Sequence, residues 1–77
     1  MKGVVVMQRT HVSSSNVESI GYDSSSSTLE VRFLNGSIYQ YYNVPAYVYI
    51  GLMNAASHGS YLDQHVKKAG YRYVRVL

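Results

Sequence analysis

Thr28-Leu29-Glu30-Val31-Arg32-Phe33-Leu34-Asn35-Gly36-Ser37-Ile38-Tyr39-Gln40-Tyr41-Tyr42-Asn43-Val44-Pro45 decides how this chain folds. Its first six residues alternate apolar and polar, the period of a strand with one covered face. Leu29, Val31 and Phe33 fall on one side, Glu30 and Arg32 on the other. Asn35-Gly36 then turns the chain, because both residues tolerate the positive φ that a tight hairpin demands. Ser37 to Tyr42 returns as the next strand. Val44-Pro45 opens a helix, since proline at the first helical position loses no needed hydrogen bond.

Two registers are open for this hairpin. A two-residue turn at Asn35-Gly36 sets Phe33 against Ile38, Val31 against Gln40 and Leu29 against Tyr42. Tyr39 and Tyr41 then lie beside Arg32 and Glu30, away from the aliphatic stripe. A three-residue Leu34-Asn35-Gly36 turn with a glycine bulge slips the pairing by one residue and reverses every side chain on the return strand. Tyr39 then opposes Val31, and Tyr41 opposes Leu29. The bulged turn is slightly favoured, because it places two rings rather than one glutamine on the core side.

On the N-terminal side, Val17 to Asp23 reads as a strand, and Ser24 to Ser27 as an exposed turn started by the Asp23 side chain. Val4-Val5-Val6 is either a short strand or a leader, and Thr10 to Asn16 is polar enough for a loop. On the C-terminal side, Val44, Val48, Leu52 and Ala56, with Tyr49, mark the inner face of a first helix. Ser57-His58-Gly59 ends it, with Gly59 in a left-handed position. Ser60 and Asp63 have capping-box spacing for a second helix over 61–68, with Leu62 and Val66 inward and Gly70 after its end. Tyr71 to Val76 alternates again as a last strand. The expected fold is α+β: a small antiparallel sheet with two short helices on one face, in the order β-β-β-α-α-β, with an extra N-terminal strand as an option. Residues 1–11 read as that strand or a leader, and 12–77 as one domain.

Seventy-seven residues bury only roughly 60–65 % of the surface that the unfolded chain exposes, so the core is thin. With no cysteine, disulfides and thiol chemistry are excluded, in keeping with a cytoplasmic setting. The opening apolar run is shorter than a signal-peptide core and ends in charge, and no stretch is long enough to span a bilayer. The net charge of +3 is uneven. Lys67, Lys68, Arg72 and Arg75 give the last eleven residues a local excess of +4, against −1 elsewhere.

No catalytic constellation is present. Ser57, His58 and Asp63 contain triad residue types, but sequence neighbours on a helix do not face one another as nucleophile and base. His11, His58 and His65 have no further ligands around them, so no metal or cofactor is expected. Two features rise above this background. Gly59 and Ser60 open a helix, where free N–H groups can hold an anion. Nine of the ten aromatic residues are tyrosine, and several alternate with bases. Tyr39 and Tyr41 near Arg32, and Tyr71, Tyr73 and Arg75 beside Arg72, Lys67 and Lys68, combine rings that stack on bases with cations that take phosphates.

Taken in order, Ser13-Ser14, Ile20-Gly21-Tyr22-Asp23, Thr28-Leu29-Glu30-Val31-x-Phe33, Gly36, Tyr39-x-Tyr41, Val44-Pro45, Val48-Tyr49, Leu52, Ala56-Ser57-x-Gly59-x-Tyr61 and Tyr71-x-Tyr73 resemble the KTSC domain. That family is named for the C-terminal extension of some lysyl-tRNA synthetases and also occurs as free-standing small proteins. The resemblance spans roughly residues 12 to 76. It implies RNA binding and brings no catalytic residues. The expected function is a non-enzymatic domain that binds RNA or single-stranded nucleic acid. The alternative is a protein-interaction or self-association module, with Val4 to Met7 as a pairing edge.

Overall fold

In a computed structural model that describes residues 7–77, the Phe33–Ser37 turn is the bulged one. Val31 faces Tyr39 and Leu29 faces Tyr41 across the hairpin. Gly36 N–H donates to the Phe33 carbonyl at 2.9 Å, and Phe33 N–H donates to the Ser37 carbonyl at 2.9 Å. Gly36 sits at φ +92°, a conformation open to glycine at no steric cost. The Asn35 carboxamide oxygen braces the turn by accepting the Ser37 N–H at 3.0 Å.

This hairpin lies in a five-stranded antiparallel sheet whose spatial order is the chain order. The strands are β1 (Thr10–His11), β2 (Val17–Asp23), β3 (Thr28–Phe33), β4 (Ile38–Tyr41) and β5 (Tyr73–Arg75). Helices α1 (Ala46–Met53) and α2 (His58–Leu62) intervene between β4 and β5, and α2 continues into a π-helical turn over Asp63–Lys67. Ser24 to Ser27 turns as expected, with Asp23 Oδ1 accepting the Ser25 N–H at 3.0 Å. This serine ring of donors also holds the Asp23 carboxyl below its ordinary pKa.

Five local expectations are corrected. Thr10 and His11 are not loop but strand. They pair with Ile20 and Ser19, and the main chain makes that edge without any apolar pattern in its side chains. The valines of the expected leader strand lie outside the described residues. Pro45 precedes the first helix instead of opening it, with φ −63° and an extended ψ of 149°. That helix stops at Met53, where Asn54 turns both its N–H and its side-chain amide onto the Ile50 carbonyl; Ala56 is exposed. Gly59 therefore ends nothing and lies inside α2. It has no left-handed φ and packs close to the Asn16 side chain, where a Cβ would stand 2.5 Å from the Oδ1. The cap of α2 is Ser57, whose side chain accepts the Ser60 N–H. Gly70, at φ +87°, does close the helical segment as expected.

The helices cover one end of one sheet face. Val17, Ile20, Leu29 and Val31 from the sheet meet Val44, Leu52, Leu62 and Val66, all essentially fully buried. Each such side chain contributes about 1.5–3 kcal/mol relative to exposure. Tyr22 stacks on Tyr49 with centroids 5.0 Å apart, and its hydroxyl donates to the Val44 carbonyl. The opposite sheet face is polar but also covered. Glu30 is buried there and forms an ion pair with Arg9. Its second oxygen accepts from Gln40 at 2.8 Å, and Gln40 in turn accepts from the Tyr42 hydroxyl at 3.1 Å. Arg9 also donates to the Ser19 hydroxyl at 3.0 Å. The slip that brought two rings to the core thus gave Gln40 a charged partner on the far face.

An aromatic cleft at the open end of the sheet

Past the aliphatic core, the same sheet face continues as aromatic rings. Tyr41 pairs with Tyr73, and Tyr39 with Arg75, so all four project on the side that Leu29 and Val31 occupy. The Tyr41 and Tyr73 rings lie 5.7 Å apart, Tyr39 and Tyr73 6.0 Å, and Tyr39 and Tyr41 6.4 Å. Phe33 meets Tyr39 edge-on at 5.8 Å. With Tyr71 these rings line an open cleft of about 670 Å³. The size is that of sites that hold small organic ligands.

The polar part of the lining comes from Ser15, Asn16, Asn35 and Ser37, and its cation from Lys67. The Lys67 ammonium stands 5.0 Å above the centre of the Phe33 ring, an electrostatic contact with the face of the π-system. Because the Asn35 oxygen is held by the Ser37 N–H and hydroxyl, its NH₂ group is left as the free end. No carboxylate lines the cleft among the described residues. The site therefore offers flat apolar faces, hydrogen-bond donors and one positive charge.

Five of the residues expected at a site come together here: Tyr39, Tyr41, Tyr71, Tyr73 and Lys67. Arg75 stands at the rim, opposite Tyr39, with its Nε donating to the Leu77 carbonyl at 2.9 Å. Arg32 does not join them. It pairs with Ser19 and Ile38 on the other sheet face. Arg72 is exposed outside the lining, and Lys68 makes an exposed 3.4 Å ion pair with Asp63. Gly59 and Ser60 border a separate shallow hollow that also contains Asp63, and the Ser60 N–H is already taken by Ser57. Ser15, Asn16, Phe33, Leu34, Asn35 and Ser37 line the cleft without any signal in the sequence that marks them as site residues. Phe33 reads only as core, and the turn role of Asn35 hides its second use. Among the described residues no group of three or more histidines, cysteines or acids could hold a metal, and no helix is long and apolar enough to cross a membrane.

Tyr41 is the floor of the cleft, with only 3 % of its surface exposed. Burial, reinforced by Tyr39 and Tyr73, pushes its phenol up from 10.0 to about 12. Burial also raises Tyr71, with Tyr47 and Tyr61 adding to it. An unfolded Tyr41 loses its proton near pH 10, while the folded one still holds it. The unfolded state thus binds fewer protons between the two values, and stability falls across that window. Chemical denaturation at pH 9 and pH 11.5 should show a loss from this residue of roughly 2 kcal/mol. Tyr41→Phe should remove that part of the slope, and an unchanged slope would mean that Tyr41 ionises freely in the fold.

The KTSC domain family model matches residues 13–76. The chain is 40 % identical to an uncharacterised protein of Stutzerimonas stutzeri over 70 residues, which is 91 % of this chain and 99 % of that one. It is 41 % identical over 46 residues to a lysine–tRNA ligase of Trichormus variabilis, covering 60 % of this chain but 8 % of the ligase. A crystal structure of a KTSC domain protein from Yersinia pestis superposes with a TM-score of 0.84 at 37 % identity, over 94 % of this chain and 100 % of the other. The family model spans most of the chain and the superposition agrees with it, so the chain belongs to the KTSC domain family.

Proposed function

We propose that this protein is a non-enzymatic binding domain for RNA or single-stranded nucleic acid, and that the aromatic cleft is where it binds. The carrying observation is the convergence of Tyr39, Tyr71 and Tyr73 with Lys67 in a cleft that no carboxylate lines among the described residues. Unpaired bases stack on such rings whatever their identity, and a nearby cation takes the phosphate. Arg75 at the rim supplies a second phosphate contact. The likeness to part of a lysine–tRNA ligase, an enzyme that acts on an RNA, supports the same reading. Arg32, Arg72 and Lys68 contribute only to the general positive field. A fluorescent single-stranded RNA titrated at low salt should bind in the micromolar range. With about two phosphates neutralised, the slope of log K against log salt should be roughly −1.4. Absence of binding at high micromolar protein and low salt removes the proposal.

A further inference from the structure

We propose that β5 pairs antiparallel with β5 of a second copy, in a register centred on Val74, to join two sheets into one. At the last position in the sheet, β5 has a free outer edge among the described residues. It is also an exposed apolar stretch. Tyr73, Val74, Val76 and Leu77 are 63 %, 44 %, 48 % and 63 % exposed, and no proline or lysine interrupts them to discourage pairing.

The backbone restricts which residues can meet. The Arg72 carbonyl accepts the Tyr42 N–H, and the Val76 N–H donates to the Ile38 carbonyl, both at 2.8 Å. Residues 72, 74 and 76 thus bond inward to β4, and Tyr73 and Arg75 turn their main-chain groups outward. Around a two-fold axis these outward residues must face one another. A pairing centred on Arg75 opposes that arginine to its own copy. One centred on Arg72 does the same at Arg72. One centred on Tyr73 runs into the left-handed turn at Gly70. The Leu77 N–H and carbonyl are both turned inward to Ile38, so the register centred on Val74 rests on the pair of Tyr73 with Arg75 of the second copy, which sets a cation against a ring face. Arg72 and Arg75 then lie on opposite faces of the joined sheet. Only a few main-chain bonds form, so the dimer is weak, of the transient class.

Because the chain has no cysteine, single-cysteine variants test the register directly. Val74→Cys faces its own copy in a non-hydrogen-bonded pair with Cα atoms about 4.5 Å apart, within disulfide reach. Val76→Cys is just as exposed, but faces Arg72 of the second copy and lies roughly 13 Å along the strand from its twin. In a glutathione redox buffer Val74→Cys should form a disulfide dimer at least about tenfold faster than Val76→Cys, since only one geometry is already in place. Equal rates, or no dimer from either, overturn the proposal. Sedimentation of the unmodified protein provides the independent arm. Its apparent mass should rise with concentration, and a concentration-independent monomer up to about 1 mM overturns the pairing even as a transient contact. Both arms are read without nucleic acid, so their outcome is separate from that of the oligonucleotide titration.

Discussion

Gly21→Ala should destabilise the protein by about 3 kcal/mol, the upper range for forcing atoms into a packed site. A Cβ at Gly21 would stand 2.4 Å from the Gln8 carbonyl oxygen and 3.2 Å from the Arg9 side chain. The obstacle is backbone, so no rotamer change relieves it. The segment at Gln8 and Arg9 has to lift from the sheet. When it lifts, Glu30 loses the guanidinium that neutralises it, and a buried carboxylate stripped of its partner is among the costlier defects available to a small protein. For a domain of this size the melting temperature should fall by roughly 12–24 °C, at about 4–8 °C per kcal/mol. A loss under about 0.5 kcal/mol, typical of surface changes, would mean that the segment moves aside freely and that the ion pair contributes little.

Tyr73→Ala carries the largest expected effect on binding. The ring is more than half exposed, so its removal should change stability by no more than about 0.5 kcal/mol. It nevertheless forms one wall of the cleft, within 6.0 Å of both Tyr39 and Tyr41. A stacked base lost to alanine costs about 1–3 kcal/mol, so affinity for a single-stranded RNA should fall by roughly five- to 150-fold. Lys67→Ala should instead flatten the salt dependence by about 0.7 in slope, one phosphate contact's worth. Arg32→Ala, on the far sheet face, is the control and should leave affinity within about twofold, the scale of a remote, screened charge. If Tyr73→Ala binds like the unmodified protein, the cleft is not where bases stack.

Much of this architecture was legible because it is written in side-chain periods. The alternation from Thr28 to Phe33, the Asn35-Gly36 turn and the spacing of Val44, Val48 and Leu52 each dictate one local outcome. The register was legible only as a choice between two turns, and volume decided it: two rings fill a core face that one glutamine would starve. What could not be read depends on main-chain or long-range contacts. Thr10 and His11 are strand because β2 has a free edge, not because of their own chemistry. Nothing near Arg9 announces that it will meet Glu30. Gly59 looked like a helix terminator, since closeness to Asn16 leaves no trace in the local pattern. At the site, the tyrosines were legible as a set. Their separation from Arg32 followed from the same one-residue slip that brought them together.

The row of rings has a practical consequence. With nine tyrosines and no tryptophan, the near-ultraviolet emission of this protein is tyrosine emission alone. Four of those nine line the cleft, and there is no indole elsewhere in the chain to drain or mask their signal. A ligand that stacks there changes the protein's own fluorescence, so the cleft carries a built-in optical reporter that needs no dye.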